Sequence, residues 1–278
     1  NFDGAKGFMV GAENTGLASM FIMMNYERLT MGLQGIGGAE LAYQNATAYT
    51  LDRIQGRADS GIQEPNKAAD PIVFHADVRR MLLNAKTISE ASRCFAMYVA
   101  KELDTNKYTD DAEARKAADD RVALLTPVAK AFLTDRGLEA SIDAQQCFGG
   151  HGYIREWGME QIVRDTRISQ IYEGTNGIQS LDLLGRKVVK NGGAFVTTYV
   201  QEMRDFANNM NADHAIKQAI LTSADKLEDL TKAVVAAAAV NKDEINGCAV
   251  DYLQAFGYVS FAYMFGLMVE AANGKEGD

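Results

Sequence analysis

Proline and cysteine are both scarce in this chain. Only 3 of its 278 residues are prolines, and long helices rich in Ala, Leu, Met, Glu and Lys are the simplest way to order such a backbone. The 3 cysteines are widely spaced and form no Cys-x-x-Cys pair. This pattern argues against a disulfide framework or a zinc site and favours a reducing compartment. We therefore expect a mostly helical protein in the cytoplasm.

Clusters of positive charge are also missing. The 28 Lys and Arg stand against 37 Asp and Glu, which gives a formal net charge of -9. Because no basic run is long enough to hold a phosphate backbone, this balance disfavours nucleic acid as a partner. The chain also lacks the glycine patterns of a Rossmann fold or a P-loop, and the serine elbow of a hydrolase.

Apolar residues recur at helical spacing through most of the chain, which predicts a helical bundle. A turn-rich loop over 57–71 separates the first two helices. The stretch 105–121 is charge-dense and is interpreted as a solvated connection and the exposed start of a third helix, which would run from about 121 with Pro127 near its first turns. Thr175 or Asn176 can cap a later helix. The predicted helices cover about 17–51, 78–95, 121–147, 157–171 and 175–190, and a final antiparallel pair includes 252–269.

The segment 252–269 carries no charged residue over a length that could cross a bilayer if helical. It also contains Gln254, Ser260 and three tyrosines. Such polar groups are typical of a buried helix, so we expect that the protein has no membrane partner.

Two glycine-rich segments are unusual for a bundle: QQCFGGHGY at 145–153 and IYEGTNGIQ at 171–179. An ordinary helix end explains the first, but paired glycines also let a phosphate or carbonyl oxygen reach bare backbone. In the second, Glu173 is either a surface carboxylate beside a helix start or a general base that takes a carbon-bound proton.

Five segments carry a family resemblance, in order along the chain. They are NYERL at 25–29, LDRIQGR at 51–57, FHADVRRML at 74–82, QCFGGHGY at 146–153 and VRDTRISQIYEGTNGIQ at 163–179. Together they resemble the carboxyl-terminal helical domain of acyl-CoA dehydrogenases. The resemblance implies an all-α bundle with an additional carboxyl-terminal helical segment, as in long-form bacterial members. Residues 1–16 would be a remnant of the preceding β-domain, 17–190 the bundle and 191–278 the additional segment.

The activity that the resemblance implies is FAD-dependent α,β-dehydrogenation of acyl-CoA thioesters to trans-2-enoyl-CoA, a reaction of fatty-acid β-oxidation. Electrons would pass to an electron-transferring flavoprotein. Glu173 matches the family's base, while Glu27 occupies the place from which the isovaleryl and long-chain branches supply theirs. We favour Glu173 because the chain keeps the Tyr-Glu-Gly-Thr form that those branches generally lack.

The resemblance also implies the binding residues and a shared site. Because the groups at the pyrophosphate and adenosine-diphosphate parts of FAD reach a neighbouring subunit's flavin in the family, a homo-oligomer, dimer or tetramer, is implied. Without the middle β-domain that covers the flavin ring, we expect this chain alone to bind FAD poorly and to be inactive. The implied contacts are Arg53, Gln55 and His75 at the pyrophosphate, Gln146, Gly149 and Gly150 at the adenosine diphosphate, Thr175 and Gly177 at the same subunit's flavin, and Asn25, Arg28, Tyr172 and Gly174 at the acyl-CoA.

Two other functions remain open from the sequence. One is an acyl-CoA oxidase, which uses the same base but lets oxygen reach the reduced flavin. The other is a non-catalytic helical oligomerisation module, which would gain no stability from the ligand.

Overall fold

A computed structural model describes residues 2–211 and 214–275, and within these ranges the regular structure is helical apart from one isolated β-bridge. This confirms the all-α class. Residue 1 of the predicted β-domain remnant, and residues 212–213 and 276–278 of the predicted additional segment, lie outside the described residues. The helices are α1 Gly16–Asp52, α2 Ala76–Tyr108, α3 Ala112–Cys147, α4 Met159–Arg167, α5 Asn176–Leu181, α6 Ala194–Asn209, α7 His214–Val240 and α8 Asp243–Ala272.

Glycines allow α1 and α3 to pack backbone to backbone. A Cβ on Gly35 of α1 would lie 2.6 Å from the carbonyl oxygen of Leu133, and one on Gly137 of α3 would lie 2.4 Å from the carbonyl oxygen of Gly35. No larger residue fits at either position without a shift of backbone, since real contacts of this kind are longer than 3 Å. The glycines that weaken α1 as an isolated helix are therefore what lets it approach α3.

One apolar core joins the first three helices to the last three. It includes Phe95 of α2, Phe132 of α3, Tyr199 of α6, Leu227 of α7 and Phe256 of α8, all of them buried. Burial of each such side chain stabilises the fold by roughly 1.5–3 kcal/mol. The carboxyl-terminal helices are thus held against α2 and α3 by the same core.

The third helix begins at Ala112 and not near 121, which corrects the sequence-based prediction. Asp111 caps it, because its Oδ1 accepts hydrogen bonds from the backbone N–H groups of Glu113 at 2.9 Å and Ala114 at 3.2 Å. Pro127 consequently lies deep inside α3 and not in its first turns. The charge-dense stretch is mostly helical because opposite charges pair along its exposed faces.

The helices around Glu173 are also more broken than predicted. The predicted helix over 157–171 is α4 flanked by 3-10 turns, because Gly158 at φ 73° begins α4 only after 157. The predicted helix over 175–190 starts as expected, with Thr175 Oγ1 accepting from the N–H of Ile178 at 3.4 Å. It then widens into a π-helical turn over 182–188 and ends at Gly192, at φ 64°.

The two ends of the chain add further differences. Residues 2–15 form no strand, since no described segment pairs with them, and Phe8 and Val10 are exposed. Helix α6 lies in the predicted additional helical segment, but no separate helix was predicted over its range. Its buried residues do follow helical spacing, so the signal was present in the sequence: Val196, Tyr199, Val200, Met203 and Ala207.

Helix α8 is long and apolar enough, by length and composition, to cross a membrane, and it is the one such helix in the described ranges. The core helix of a soluble protein passes the same test. Its polar groups have partners inside the chain: Tyr252 Oη lies 2.7 Å from Thr231 Oγ1, and Ser260 Oγ accepts from Tyr199 Oη at 3.3 Å. Tyr252 and Ser260 thus lie in hydrogen-bonded, buried surroundings, whereas Gln254 is half-buried and Tyr258 is exposed.

Candidate functional site

A cleft of about 630 Å³ lies between the end of α1, the start of α2 and the glycine-rich turn after α3. This volume is in the range of small-molecule sites. Segments that are far apart along the chain meet there. Six of the predicted cofactor-binding residues line the cleft: Arg53, Gln55, His75, Gln146, Gly149 and Gly150.

A short pairing of extended backbone presents Arg53 and Gln55 to this cleft. The N–H of Ile72 donates to the carbonyl of Arg53 at 2.8 Å, and the N–H of Gln55 donates to the carbonyl of Asp70 at 3.0 Å. His75 Nε2 then donates to the carbonyl of Gln55 at 2.8 Å. These bonds fix the backbone and leave the side chains of Arg53 and Gln55 exposed.

Asp70 organises the loop behind Arg53, a role that the sequence analysis missed. Its buried carboxylate accepts from the backbone N–H groups of Glu64 at 2.8 Å, Ala58 at 3.0 Å and Gln63 at 3.0 Å, and from Arg57 Nη1 at 3.2 Å. Burial alone would raise the pKa of Asp70, but these hydrogen bonds outweigh it and hold the pKa at about 2. The one sequence signal was an Asp directly before a proline in a turn-rich stretch.

The glycine turn after α3 is both a helix end and an open cradle. Gly149 has φ 57°, a left-handed conformation that ends the helix, and a Cβ added at Gly149 or Gly150 would meet no described atom within 4 Å. The glycine pair is therefore an ordinary helix end and also a place where an oxygen atom has room to reach the backbone.

Aromatic rings buttress this turn. Tyr49 stacks on Phe148 with ring centroids 4.1 Å apart, and its Oη lies 2.9 Å from His151 Nδ1. His151 in turn stacks on Trp157 at 4.7 Å. His151 is thus a half-buried supporting residue of the cleft wall, which the sequence alone did not show.

Glu173 lies in a strained turn between the 3-10 turn at 168–170 and α5. Its φ is 56°, a left-handed value that costs a non-glycine residue of order 1 kcal/mol or more. Gln179, fully buried, donates from Nε2 to the carbonyls of Glu173 and Gly174, each at 3.4 Å. Gly174 has φ 81°, which favours glycine, and a Cβ there would lie 2.6 Å from that nitrogen. In the described part of the chain, the N–H of Glu173 donates to no group.

A buried lysine lies beneath this turn. Lys130 is 0% exposed, and its Nζ donates to Asn176 Oδ1 at 2.7 Å. Burial lowers the pKa of Lys130 to about 8, and Arg28 lowers it too, against the attraction of Asp135 and Glu173. The sequence analysis missed Lys130, although a lone lysine in the apolar stretch of α3 was visible.

The predicted acyl-CoA residues lie along α1 and the Glu173 turn. Arg28 Nη1 donates to Asp182 Oδ2 at 3.2 Å, and both side chains are mostly buried, so the π-helical turn holds Arg28 in place. Tyr172 Oη donates to Gln34 Oε1. Asn25 and Glu27 are half-buried on α1.

Thr175 and Gly177 do not line the cleft that holds the other predicted cofactor residues. They lie exposed at the start of α5, beside Glu173. The predicted cofactor contacts of one chain thus fall in two separate places.

The chain is an all-α bundle with a polar cleft at a glycine turn and a carboxylate in a strained turn. The family described as "Acyl-CoA dehydrogenase, C-terminal domain" matches residues 14–188, and "Acetyl-CoA dehydrogenase C-terminal like" matches residues 199–278. The chain belongs to the acyl-CoA dehydrogenase family. This confirms the resemblance inferred from the sequence.

Individual relatives agree with this membership. The chain is 36% identical to the 3-methylmercaptopropionyl-CoA dehydrogenase of Ruegeria pomeroyi, over 99% of this chain and 47% of that protein. The chain therefore spans about half the length of the curated relative. Among solved structures, Caenorhabditis elegans ACDH-11 in complex with C11-CoA has a TM-score of 0.76 at 18% identity, covering 96% of this chain and 42% of that one. Acyl-CoA dehydrogenase complexed with FAD from Bacillus anthracis has a TM-score of 0.71 at 18% identity, covering 94% and 45%.

Proposed function

We propose that the protein containing this chain catalyses FAD-dependent α,β-dehydrogenation of acyl-CoA thioesters to trans-2-enoyl-CoA. The observation that carries the proposal is the convergence of the family's cofactor positions, from Arg53 to Gly150, in one cleft. The names of the relatives support it, since they include acyl-CoA dehydrogenases and an FAD complex.

The cleft residues fit the pyrophosphate part of FAD. Arg53 is exposed and forms no salt bridge within the described residues, so its guanidinium is available for an anion. Gly149 and Gly150 leave open space over their backbone, which allows a phosphate oxygen to approach closely. Gln55 and His75 border the same space. When bound, FAD supplies the acceptor for the hydride that leaves the β-carbon of the acyl group.

The chemical role of this chain's residues centres on Glu173. A carboxylate oxygen of Glu173 accepts the α-proton of the thioester, a general-base step. The backbone N–H of Glu173 has no partner in the described part of the chain, so it can donate to the thioester oxygen where negative charge develops. Gln179 and Gly174 hold the turn in the conformation that presents both groups.

The separate position of Thr175 and Gly177 supports a shared site. In a homo-oligomer, dimer or tetramer, the cleft of one subunit would bind the flavin that lies beside Thr175 of another. The proposal also includes a cytoplasmic location, a role in β-oxidation, electron transfer to an electron-transferring flavoprotein, and the division into 1–16, 17–190 and 191–278.

A visible spectrum during FAD titration of the full-length protein, followed by anaerobic addition of a mixed set of acyl-CoAs, tests the proposal. We expect saturable flavin binding and bleaching of the flavin by substrate. In a separate assay in air, steady peroxide formation without any other added acceptor would indicate an oxidase instead. A protein that stays colourless or never bleaches would contradict the proposed reaction.

A further inference from the structure

Asp135 of α3 accepts hydrogen bonds from residues on both sides of the Glu173 turn. Gln170 Nε2 donates to Asp135 Oδ1 at 2.7 Å, and Asn176 Nδ2 donates to the same oxygen at 2.7 Å. Gln170 precedes Glu173 by three residues and Asn176 follows it by three. One carboxylate oxygen therefore holds the two ends of the strained turn together.

The other oxygen of Asp135 connects this turn to the carboxyl-terminal helices. Gln254 Nε2 of α8 donates to Asp135 Oδ2 at 2.6 Å. Hydrogen bonds to a charged acceptor are stronger than those between neutral groups. Helix α8 thus contributes a direct polar contact to the network that supports Glu173, although it lies in the segment beyond the bundle.

Asn176 is fixed by further contacts with α3. Its Nδ2 also lies 2.9 Å from Thr134 Oγ1 and 3.1 Å from the carbonyl of Ala131, and its Oδ1 accepts from Lys130 Nζ. These partners orient the amide so that its nitrogen faces Asp135. The turn is consequently tied to the most buried part of α3.

We propose that Asp135 is a positioning residue that holds the Glu173 turn in its active conformation, and that Gln254 of α8 completes this support. The inference rests on the proposed function, in which Glu173 is the base. A left-handed Glu173 needs surrounding contacts to persist, and the bonds to Gln170 and Asn176 provide them on both sides. Asp135 itself is not assigned any contact with substrate or flavin.

Three variants of the full-length protein test this proposal. Asp135→Asn replaces an acceptor oxygen by a donor, and Gln254→Met removes the donor from α8 together with an Oε1 that has no partner among the described residues. Gln201→Met is the matched control, because Gln201 Nε2 donates to Asp205 Oδ1 at 2.8 Å on the exposed face of α6. Two readouts are taken: hydrogen exchange of the backbone amides over 168–178 without any ligand, and the rate of flavin bleaching at saturating acyl-CoA.

We expect the amides of the turn to exchange faster, by about tenfold or more, in Asp135→Asn and Gln254→Met. Bleaching at saturating acyl-CoA should slow by about 10²-fold in Asp135→Asn, as for a misplaced catalytic group. It should slow by about tenfold in Gln254→Met, which loses one charge-assisted hydrogen bond. The acyl-CoA concentration that gives half-maximal bleaching should change less than the rate, because the predicted contacts on α1, Asn25 and Arg28, are not altered. The control should match the unaltered protein in both readouts.

Unchanged exchange over 168–178 in Gln254→Met and Asp135→Asn would overturn the proposal. So would faster exchange with an unchanged bleaching rate, since the turn would then not need this support for catalysis. Failure of the proposed function looks different: the unaltered protein would not bleach at all. The exchange measurement would still decide whether Asp135 holds the turn, because it needs neither flavin nor substrate.

Discussion

Replacement of the buried Lys130 by methionine should change how the stability of the protein depends on pH. Lys130 is fully buried beneath the Glu173 turn, and burial lowers its pKa from an ordinary 10.5 to about 8. Each pKa unit corresponds to about 1.4 kcal/mol of differential interaction. The shift therefore corresponds to about 3 kcal/mol.

The sign of the effect follows from proton uptake. Below a pH of about 8 both the folded and the unfolded chain hold the proton on Lys130, so the cost of the buried charge is present in full and does not change with pH. Between about 8 and 10.5 the unfolded chain binds more protons than the folded chain, so the free energy of unfolding rises with pH. Above about 10.5 neither form is protonated and the gain of about 3 kcal/mol is complete.

Urea unfolding of the unaltered chain and of Lys130→Met, from pH 7 to 10.5, measures this contribution. The free energy of unfolding of the unaltered chain minus that of Lys130→Met should rise by about 3 kcal/mol across the range. The variant cancels the other groups that titrate at alkaline pH. A constant difference between the two proteins would refute the argument that Lys130 is a destabilised buried cation.

Three other perturbations test separate parts of the structure. Gly35→Ala should lower the free energy of unfolding by about 1–3 kcal/mol because the added Cβ meets a backbone carbonyl of α3. Gly37→Ala on the same helix meets no described atom and should raise the free energy of unfolding by up to about 1 kcal/mol. Thermal unfolding that ranks the two variants the other way would contradict the packing of α1 on α3. Asp70, whose carboxyl pKa is held at about 2, should stabilise its loop above pH 4 and lose that effect as the pH falls toward 2. Hydrogen exchange over 53–71 should show this loosening of the loop in the unaltered protein. The same pH profile in Asp70→Asn would contradict the stabilising role of Asp70. Arg53→Gln should weaken FAD binding by about 10–100-fold in a titration of the full-length protein. The control Arg93→Gln, far from the cleft along α2, should leave the affinity for FAD unchanged. Equal FAD affinities of Arg53→Gln and the unaltered protein would remove Arg53 from the cofactor site.

The family resemblance, carried by short local motifs, named several residues that line the cleft, and their role as cofactor contacts stays a prediction. Arg53 follows a long helix directly, and the glycine pair at 149–150 ends another helix. Such signals depend on neighbouring residues, so they can be read without the fold. The order of the motifs then identified the family to which these segments belong.

The supports of Glu173 could not be read in the same way. Asp135 meets Gln170, Asn176 and Gln254 across separations of 35, 41 and 119 residues. No local pattern distinguishes these amides from ordinary polar residues on a helix surface, because only the packing of α3 against α5 and α8 brings them together. The start of α3 was misplaced because the charge-dense stretch 105–121 was interpreted largely as a solvated connection, whereas the cap at Asp111 begins the helix at Ala112 and leaves Pro127 in its interior.

The identity of the base is the central claim, and one comparison tests it most directly. Glu173→Gln and Glu27→Gln are made separately in the full-length protein and loaded with FAD, and flavin bleaching is followed anaerobically at saturating acyl-CoA. We predict that Glu173→Gln abolishes bleaching while still binding FAD, and that Glu27→Gln bleaches like the unaltered protein. Normal bleaching by Glu173→Gln, with its loss in Glu27→Gln, would contradict this account and assign the base to α1.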